Sequence, residues 1–105
     1  MLQIPEMEVG DIVLQSAHRR VHIKGEPVRL TEVESNVLEM LAFWLDTVIS
    51  REMLCNAMYR ETGFKPSSLR HVDRHIHLLR HKLRVSEHVR IQSVSNHGYK
   101  LVVAQ

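Results

Sequence analysis

The fold of this chain is decided by residues 67–84, which read SSLRHVDRHIHLLRHKLR. Apolar residues recur there at intervals of three and four positions, and this spacing predicts an amphipathic helix that begins at Ser67 or Ser68. The predicted buried stripe consists of Leu69, Val72, Ile76, Leu79 and Leu83. At about 100° per residue, the opposite face carries Ser67, Arg70, His71, Arg74, Leu78 and His81.

Positive charge is concentrated in and after this helix. Residues 65–84 contain six Lys or Arg and a single acid, Asp73. Residues 1–64 contain six Lys or Arg against ten Asp or Glu, whereas residues 65–105 contain eight against two. A basic half of this kind predicts a polyanionic partner, with an ordinary solvated surface as the alternative. Because the major groove of DNA admits one α-helix, residues 67–84 are the predicted reading element.

The region before this helix predicts a small antiparallel sheet. Short strands are expected around residues 9–14, 20–24 and 27–30, after a segment 1–8 that is linker or the start of the first strand. The second of these strands alternates polar and apolar side chains at a period of two. Gly25 and Glu26 form the predicted turn, and Pro27 favours an edge position for the strand that follows.

Two further helices are predicted between the sheet and residue 67. Thr31, with Glu34 three positions later, has the pattern of a capping box that opens the first helix. The apolar face of that helix is predicted to contain Val33, Val37, Leu38, Leu41, Trp44 and Leu45. Ser50 is the predicted N-cap of the second helix, and Ile49 and Leu54 fit a hydrophobic staple around it. Residues 61–66 then form a loop.

The chain closes with a predicted β-hairpin at about 89–103, built from a strand at 89–94, a turn at 95–98 and an alternating second strand. The order of sheet, three helices and hairpin predicts the α+β class. A chain of 105 residues suits one compact core, so we expect a single domain over 9–103 and a short tail at 104–105.

Composition narrows the classes of function. Cys55 is the single cysteine, which excludes a disulfide framework and favours a reducing, cytoplasmic environment. No apolar run reaches the roughly 18 residues of a membrane helix. No Ser-His-Asp set, glycine-rich phosphate loop or paired-carboxylate pocket is recognisable, so we predict neither an enzyme nor a cofactor.

The chain contains eight histidines, four of them in the predicted helix. His71 with His75, and His77 with His81, are i, i+4 pairs, a spacing that can hold one metal ion. Zinc usually takes about four ligands, and no Cys, Asp or Glu lies suitably near either pair, so no metal is predicted. The alternatives are phosphate contacts and pH sensing. In the second case, DNA affinity rises between about pH 8 and pH 6 as the imidazoles gain charge.

Four segments, in this order, resemble the OmpR/PhoB winged-helix effector domains: VRLTEVE at 28–34, ISREML at 49–54, VDRHIHLLRHKL at 72–83, and IQSV at 91–94 with GYKL at 98–101. The resemblance runs from about Val9 to Val103. It implies a winged helix-turn-helix with an N-terminal four-stranded antiparallel sheet, a three-helix bundle and a C-terminal β-hairpin wing. It also implies sequence-specific binding to double-stranded DNA, as the transcription-regulating effector domain of a bacterial two-component response regulator.

The resemblance assigns roles to individual residues. Arg74 and Leu78 look like the base-facing pair of the recognition helix. The phosphate contacts implied from the same helix are Arg70, His75, His77 and Arg80. Backbone contacts are implied for Arg51 and Tyr59 in the second helix and for Ser93 and Tyr99 in the wing. The predicted DNA-binding set is completed by His71, His81, Lys82 and Ser95.

Two positions depart from the family pattern. Leu78 stands where the family often has an arginine that reads a base; a leucine packs on a thymine methyl group, broadens the core stripe or contacts a protein. Ser95, followed by Asn96 and His97, stands where the wing usually carries an arginine that enters the minor groove. Minor-groove reading by this wing is therefore in doubt.

The resemblance also implies partners. These are direct-repeat DNA sites bound by a head-to-tail homodimer, an upstream receiver domain, and RNA polymerase at the 61–66 loop, for which a plain connector is the alternative. Two rival functions stay open. One is a winged-helix protein-interaction module with little DNA affinity, and the other is the cytoplasmic head of a membrane-bound regulator.

Overall fold

The computed structural model describes residues 6–15, 20–64, 66 and 68–104. In chain order, the elements are β1 (Met7–Val9), β2 (Ile12–Gln15), β3 (Arg20–Ile23), β4 (Glu26–Arg29), α1 (Glu32–Phe43), α2 (Arg51–Met58), α3 (Arg70–Lys82), β5 (Val89–Val94) and β6 (Gly98–Val103). This order confirms the predicted α+β winged-helix architecture. Parts of the predicted linker, loop, third helix and tail lie outside the described residues, namely 1–5, Lys65, Ser67 and Gln105.

The four N-terminal strands form one antiparallel sheet in the order β1-β2-β3-β4. Cross-strand pairs such as Ile12 with Ile23 and Leu14 with Val21 put apolar side chains on the face that packs against the helices. The turn between β3 and β4 lies at Lys24 and Gly25, one residue earlier than predicted. Both have positive φ, of 55° and 83°, which is the geometry of the tight hairpin turn that matches strand twist.

Helix α1 begins with the predicted capping box. The Thr31 Oγ1 accepts a hydrogen bond from the Glu34 backbone N–H at 3.2 Å, and a Glu34 carboxylate oxygen accepts one from the Thr31 N–H at 2.9 Å. The predicted apolar face was too long at its C-terminal end. The helix ends at Phe43, so Trp44 and Leu45 lie beyond it and are 48% and 41% exposed. The chain turns away because Asp46 adopts a positive φ of 62°.

Helix α2 has the predicted N-cap, with the Ser50 hydroxyl accepting a hydrogen bond from the Met53 N–H at 3.1 Å. Ile49 and Leu54 on either side of this cap are both buried, in agreement with the predicted staple. Ile49 also pairs with Tyr99 through two backbone hydrogen bonds, of 2.8 and 3.0 Å. The segment that enters α2 is therefore tied to β6.

Helix α3 begins later than the sequence suggested. Its first residue is Arg70, whose N–H donates to the Ser68 hydroxyl at 3.2 Å. Leu69 precedes the helix, does not follow its periodicity, and is 37% exposed, so its predicted place in the core stripe is wrong. The remaining stripe residues are buried: Val72, Ile76, Leu79 and Leu83. A 3₁₀ turn, Leu83–Val85, follows the helix.

The two-stranded wing of β5 and β6 starts and ends close to its predicted positions. Gly98 was predicted in the turn but is the first residue of β6, where it pairs with Val94. A methyl group at Gly98 would collide with the Ile49 carbonyl oxygen and stand 2.9 Å from its carbon, and the φ of Gly98 is +141°. Only glycine permits the wing to approach the α2 entrance this closely.

We predict that Gly98→Ala destabilises the domain by roughly 3 kcal/mol or more, because backbone strain and a clash with a fixed carbonyl act together. Gly25→Ala is the matched control, since Gly25 also has positive φ but open space around it. It should cost only about 1–2 kcal/mol. Urea unfolding curves of both variants measure the difference. Equal losses would show that the contact between β6 and Ile49 is not a constraint.

Candidate nucleic-acid interface

The side of α3 opposite its buried stripe faces solvent. Arg70, His71, Arg74 and His81 are exposed there, as the sequence predicted. Leu78 on the same side is 43% exposed. Of the three interpretations of Leu78, a broadened core stripe is therefore excluded, whereas contact with a thymine methyl or with a protein is compatible with its position.

Arg70 and Arg74 form no ion pair with any carboxylate in the described ranges of the chain. Other cations of the domain are neutralised locally, for example Arg51 by Asp73 at 2.9 Å and Arg60 by Glu61 at 3.2 Å. Two uncompensated guanidinium groups on one exposed helix face leave a positive surface that an external anion can neutralise.

Asp73 joins three elements at the start of α3. One oxygen of its carboxylate accepts from the Arg51 Nε at 2.9 Å and from the Tyr99 hydroxyl at 2.5 Å. These bonds orient the first turn of α3 against α2 and β6. Tyr99 is buried, and its hydroxyl points to Asp73. Burial first, and the bond to Asp73 second, raise the pKa of Tyr99, so this tyrosine stays neutral.

Arg80 connects α3 to the wing. Its Nε and Nη2 donate to the Ile91 carbonyl at 3.1 and 2.9 Å, and Nη2 also donates to the Ser93 hydroxyl at 2.7 Å. Its guanidinium carbon lies 5.4 Å from the centroid of the Tyr99 ring, within range of a cation–π interaction. Arg80 and Ser93, two predicted phosphate contacts, are thus held next to each other.

Lys82 holds the opposite side of α3 against α1. Its ammonium group donates to Glu34 at 2.5 Å and to the Arg29 carbonyl at 3.2 Å. The Glu34 carboxylate is buried, which by itself raises its pKa, but the bonds from Lys82 and Thr31 outweigh burial and the pKa is lowered. Lys82 therefore completes the capping box of α1 instead of facing solvent with the other α3 cations.

The α3 histidines differ in their surroundings. His71, His77 and His81 are exposed, whereas His75 is half-buried. Burial first, and the nearby charges of His71 and Arg74 second, lower the pKa of His75, although Glu34 opposes this effect. No three metal-ligating side chains come together in the part of the chain that the structure describes.

The loop between α2 and α3 is anchored at its start. The Asn36 side chain donates to the Met58 carbonyl at 3.2 Å and to Glu61 at 3.0 Å. Tyr59 is half-buried and makes an edge contact with Phe64, with ring centroids 5.0 Å apart, while Phe64 itself is 55% exposed. The loop thus presents an aromatic side chain from a fixed base.

The turn at the tip of the wing carries no guanidinium group. Ser95, Asn96 and His97 are exposed, and Asn96 has a positive φ of 63°. The His97 Nδ1 lies 2.7 Å from the Ser95 carbonyl oxygen, which holds the imidazole close to the turn.

Sequence reasoning did not identify Asp73 and Glu34 as the carboxylates that hold α3 in place. In the sequence, Asp73 stands out only as the single acid in a basic helix, and this isolation is the one indication of its role. Glu34 was placed in the capping box, but its bond to Lys82 spans 48 residues and leaves no local pattern. The described helices include none long and apolar enough to cross a membrane.

Comparison with known proteins agrees with this geometry. Residues 25–101 match the family described as "Transcriptional regulatory protein, C terminal". The chain is 34% identical over 97 residues to the cell cycle transcriptional regulator CtrA of Caulobacter vibrioides, covering 90% of this chain and 41% of that protein. The chain therefore spans about two fifths of the length of the curated relatives it matches, CpxR of Escherichia coli being covered to 43%.

Two solved structures show the same fold. The DNA-binding domain of Escherichia coli CpxR superposes with a TM-score of 0.81 at 30% identity, over 96% of this chain and 99% of that one. The DNA-binding domain of Klebsiella pneumoniae RstA, in complex with the RstA box, gives a TM-score of 0.74 at 27% identity, over 92% and 96% of the two chains.

We predict that Lys82→Met lowers the free energy of unfolding at pH 7 by roughly 1.5–3 kcal/mol, because it leaves the buried Glu34 carboxylate without its charged partner. The pKa of Glu34 is lowered in the folded state, so its contribution is present above the unfolded-state pKa and is lost as pH falls through the folded one. The difference between Lys82→Met and the unmodified protein should therefore shrink in acid.

Lys24→Met is the matched control, since Lys24 pairs with Glu87 at 2.8 Å in an exposed position. We expect a much smaller loss there, because exposed ion pairs contribute little to stability. Urea unfolding between acidic and neutral pH provides both measurements. A loss for Lys82→Met that is no larger than the control, or that does not change with pH, would contradict the assigned role of the Lys82–Glu34 bond.

Proposed function

The chain belongs to the family of C-terminal domains of transcriptional regulatory proteins, and we propose that it reads double-stranded DNA sequence-specifically as the effector domain of a two-component response regulator. The family consists of transcription regulators and not of enzymes. RstA, a structural relative, was crystallised with its DNA box. Since the chain spans about two fifths of its curated relatives, a receiver domain and control by phosphorylation belong to the proposal.

The observation that carries this proposal is the uncompensated charge of Arg70 and Arg74 on a helix whose other sides are fixed. A helix of this diameter fits the major groove, and guanidinium groups bind both phosphates and guanine edges in pairs of hydrogen bonds. Because Asp73 and Lys82 hold α3 from two sides, its arginines are presented without prior rearrangement.

We assign the base contacts to Arg74 and Leu78, the latter through a thymine methyl group. Phosphate contacts are assigned to side chains of α3, of the residue that follows α2, and of the wing: Arg70, His71, His75, His77, Arg80, His81, Tyr59, Ser93 and Ser95. Tyr99, Arg51 and Lys82 are revised from DNA contacts to positioning residues, because their polar groups are engaged by Asp73 and Glu34.

Two partner assignments complete the proposal. Head-to-tail homodimers on direct repeats would supply the affinity that one small domain lacks, since linked binding events reinforce each other. RNA polymerase is the proposed partner of the 61–66 loop, where the exposed Phe64 offers an apolar contact on a rigid base.

A protein-interaction module is the second candidate function. It is favoured by the 43% exposure of Leu78 and by Ser95 at the position where the wing arginine is expected. DNA titration separates the two, because an interaction module of this kind has little affinity for duplexes even at low salt.

We expect the logarithm of the DNA association constant to fall linearly with the logarithm of salt concentration, with a slope of several units, because each phosphate contact releases about 0.9 counterions. Arg74→Ala should weaken binding to a preferred site by about 1–3 kcal/mol and binding to random duplex by less. Fluorescence anisotropy with labelled duplexes measures both quantities.

Arg20→Ala serves as the control for net charge, since Arg20 is exposed on β3 in the N-terminal sheet. It should leave the discrimination between preferred and random DNA unchanged. Equal losses on both duplexes for Arg74→Ala would make Arg74 a phosphate contact. Absence of binding by the unmodified domain at low salt would refute the proposed function and favour the interaction module.

We also predict that DNA affinity rises severalfold between about pH 8 and pH 6 at fixed salt, because exposed imidazoles on the DNA-facing side gain positive charge in this range. His75 should contribute least, since its pKa is lowered by burial. The double variant His71→Gln, His81→Gln should flatten the profile, while His88→Gln, an exposed histidine outside α3, should not. A flat profile for the unmodified protein would refute pH sensing.

A further inference from the structure

A groove of about 390 Å³ lies between the C-terminal end of α3, the 3₁₀ turn and β5. Three arginines and three buried apolar residues line it: Arg80, Arg84, Arg90, Leu83, Val89 and Ile91. Arg80 belongs to the predicted DNA-binding set, whereas Arg84 and Arg90 have no predicted role. The groove therefore brings two unassigned guanidinium groups next to an assigned one.

Arg80 and Arg90 are held by neutral acceptors, and Arg84 lies near an imidazole nitrogen. Arg80 donates to the Ile91 carbonyl and the Ser93 hydroxyl. Arg90 Nη1 donates to the Ser86 and Val89 carbonyls at 2.9 and 3.0 Å, and Arg84 Nη1 lies 3.4 Å from the His81 Nδ1. Within the described residues, no carboxylate pairs with any of them.

This pattern contrasts with two other side-chain cations around α3. Arg51 is paired with Asp73 and Lys82 with Glu34, so their charges are balanced inside the domain. Carbonyl and hydroxyl partners fix the direction of a guanidinium group without neutralising it, and each group keeps N–H donors that can bind a further acceptor. Three such charges at one groove repel each other until an anion enters.

We infer that Arg84 and Arg90, together with Arg80, form a phosphate site that takes a backbone phosphate of DNA on the wing side of α3; this inference rests on the proposed DNA binding. A phosphate suits the site because its oxygens accept the paired N–H groups of guanidinium forks. The DNA backbone is the favoured source because the exposed Arg84 and Arg90 line the same groove as Arg80, which is already assigned to a phosphate contact and donates to Ser93, another assigned contact.

The test compares the salt dependence of DNA binding between the unmodified domain, variants of Arg84 and Arg90, and a control variant of Arg20. Arg84→Gln with Arg90→Gln should reduce the slope by about 1–2 units, since each lost phosphate contact removes about 0.9. Affinity should fall equally on preferred and random duplexes, because backbone contacts carry no sequence information. Arg84→Lys with Arg90→Lys should keep most of the slope, and Arg20→Gln should keep all of it.

Folding is monitored by thermal unfolding of each variant. If Arg90→Gln unfolds the domain because its bonds to two carbonyl groups are lost, Arg84→Gln alone gives the measurement. Among the described residues, the polar side-chain contact of Arg84 is to the exposed His81. An unchanged slope for folded Arg84→Gln and for the double variant would overturn the inference while leaving the proposed function intact. A domain that binds no DNA at all would overturn both.

NMR of the arginine side chains distinguishes the source of the phosphate. Addition of duplex should shift the Nε–H signals of Arg84 and Arg90, whereas inorganic phosphate at matched ionic strength should not. Shifts with inorganic phosphate but none with duplex would identify a site for free phosphate and would overturn the assignment to DNA.

Discussion

The position of α3 depends on the burial of its apolar stripe, because an exposed basic face can meet a ligand in a fixed orientation only if the helix does not rotate about its axis. Val72, Ile76 and Leu79 are fully buried, and each buried side chain of this size contributes about 1.5–3 kcal/mol. Apolar packing alone allows small rotations, since it has no preferred direction. Directional bonds from Asp73 on one side and Lys82 on the other remove that freedom.

The same bonds sort the charges of the domain into two groups. Cations that hold elements together are paired with carboxylates, as in the bonds of Arg51 with Asp73 and Lys82 with Glu34. Cations at the exposed face and in the groove, such as Arg74 and Arg90, are oriented by neutral groups or left free. Basic residues that are similar in sequence therefore serve two different purposes, and only their partners distinguish them.

Local patterns predicted much of the fold. The capping box of Thr31 and Glu34, the N-cap at Ser50 and the alternation in the wing depend on residues three or fewer positions apart, and all are present. Errors occurred where an element ends. Periodicity does not record the positive φ angles at Lys24, Gly25 and Asp46 or the bond from the Asp46 N–H to the Leu101 carbonyl. The late start of α3 coincides with the bond from the Arg70 N–H to the Ser68 hydroxyl.

The residues of the candidate site show the same difference between local features, which the sequence predicts, and long-range contacts, which it does not. Exposure of Arg70, Arg74 and Leu78 could be predicted from helical geometry, because it depends on phase within one element. The inward direction of Tyr99 could not, since its partner Asp73 is 26 residues away and belongs to another element. Side chains that bind at long range within the domain look the same in sequence as side chains that are free to bind a ligand.

The pairing of Ile49 with Tyr99 has a consequence for the folding of the domain during its synthesis. The strand β6 supplies Leu101, which is fully buried, and closes the gap between β5 and the entrance to α2. Synthesis proceeds from the N-terminus, so the ribosome releases this strand after every other element of the domain. The helices cannot complete their core until then, and we expect this long-range closure to be the slow step of folding.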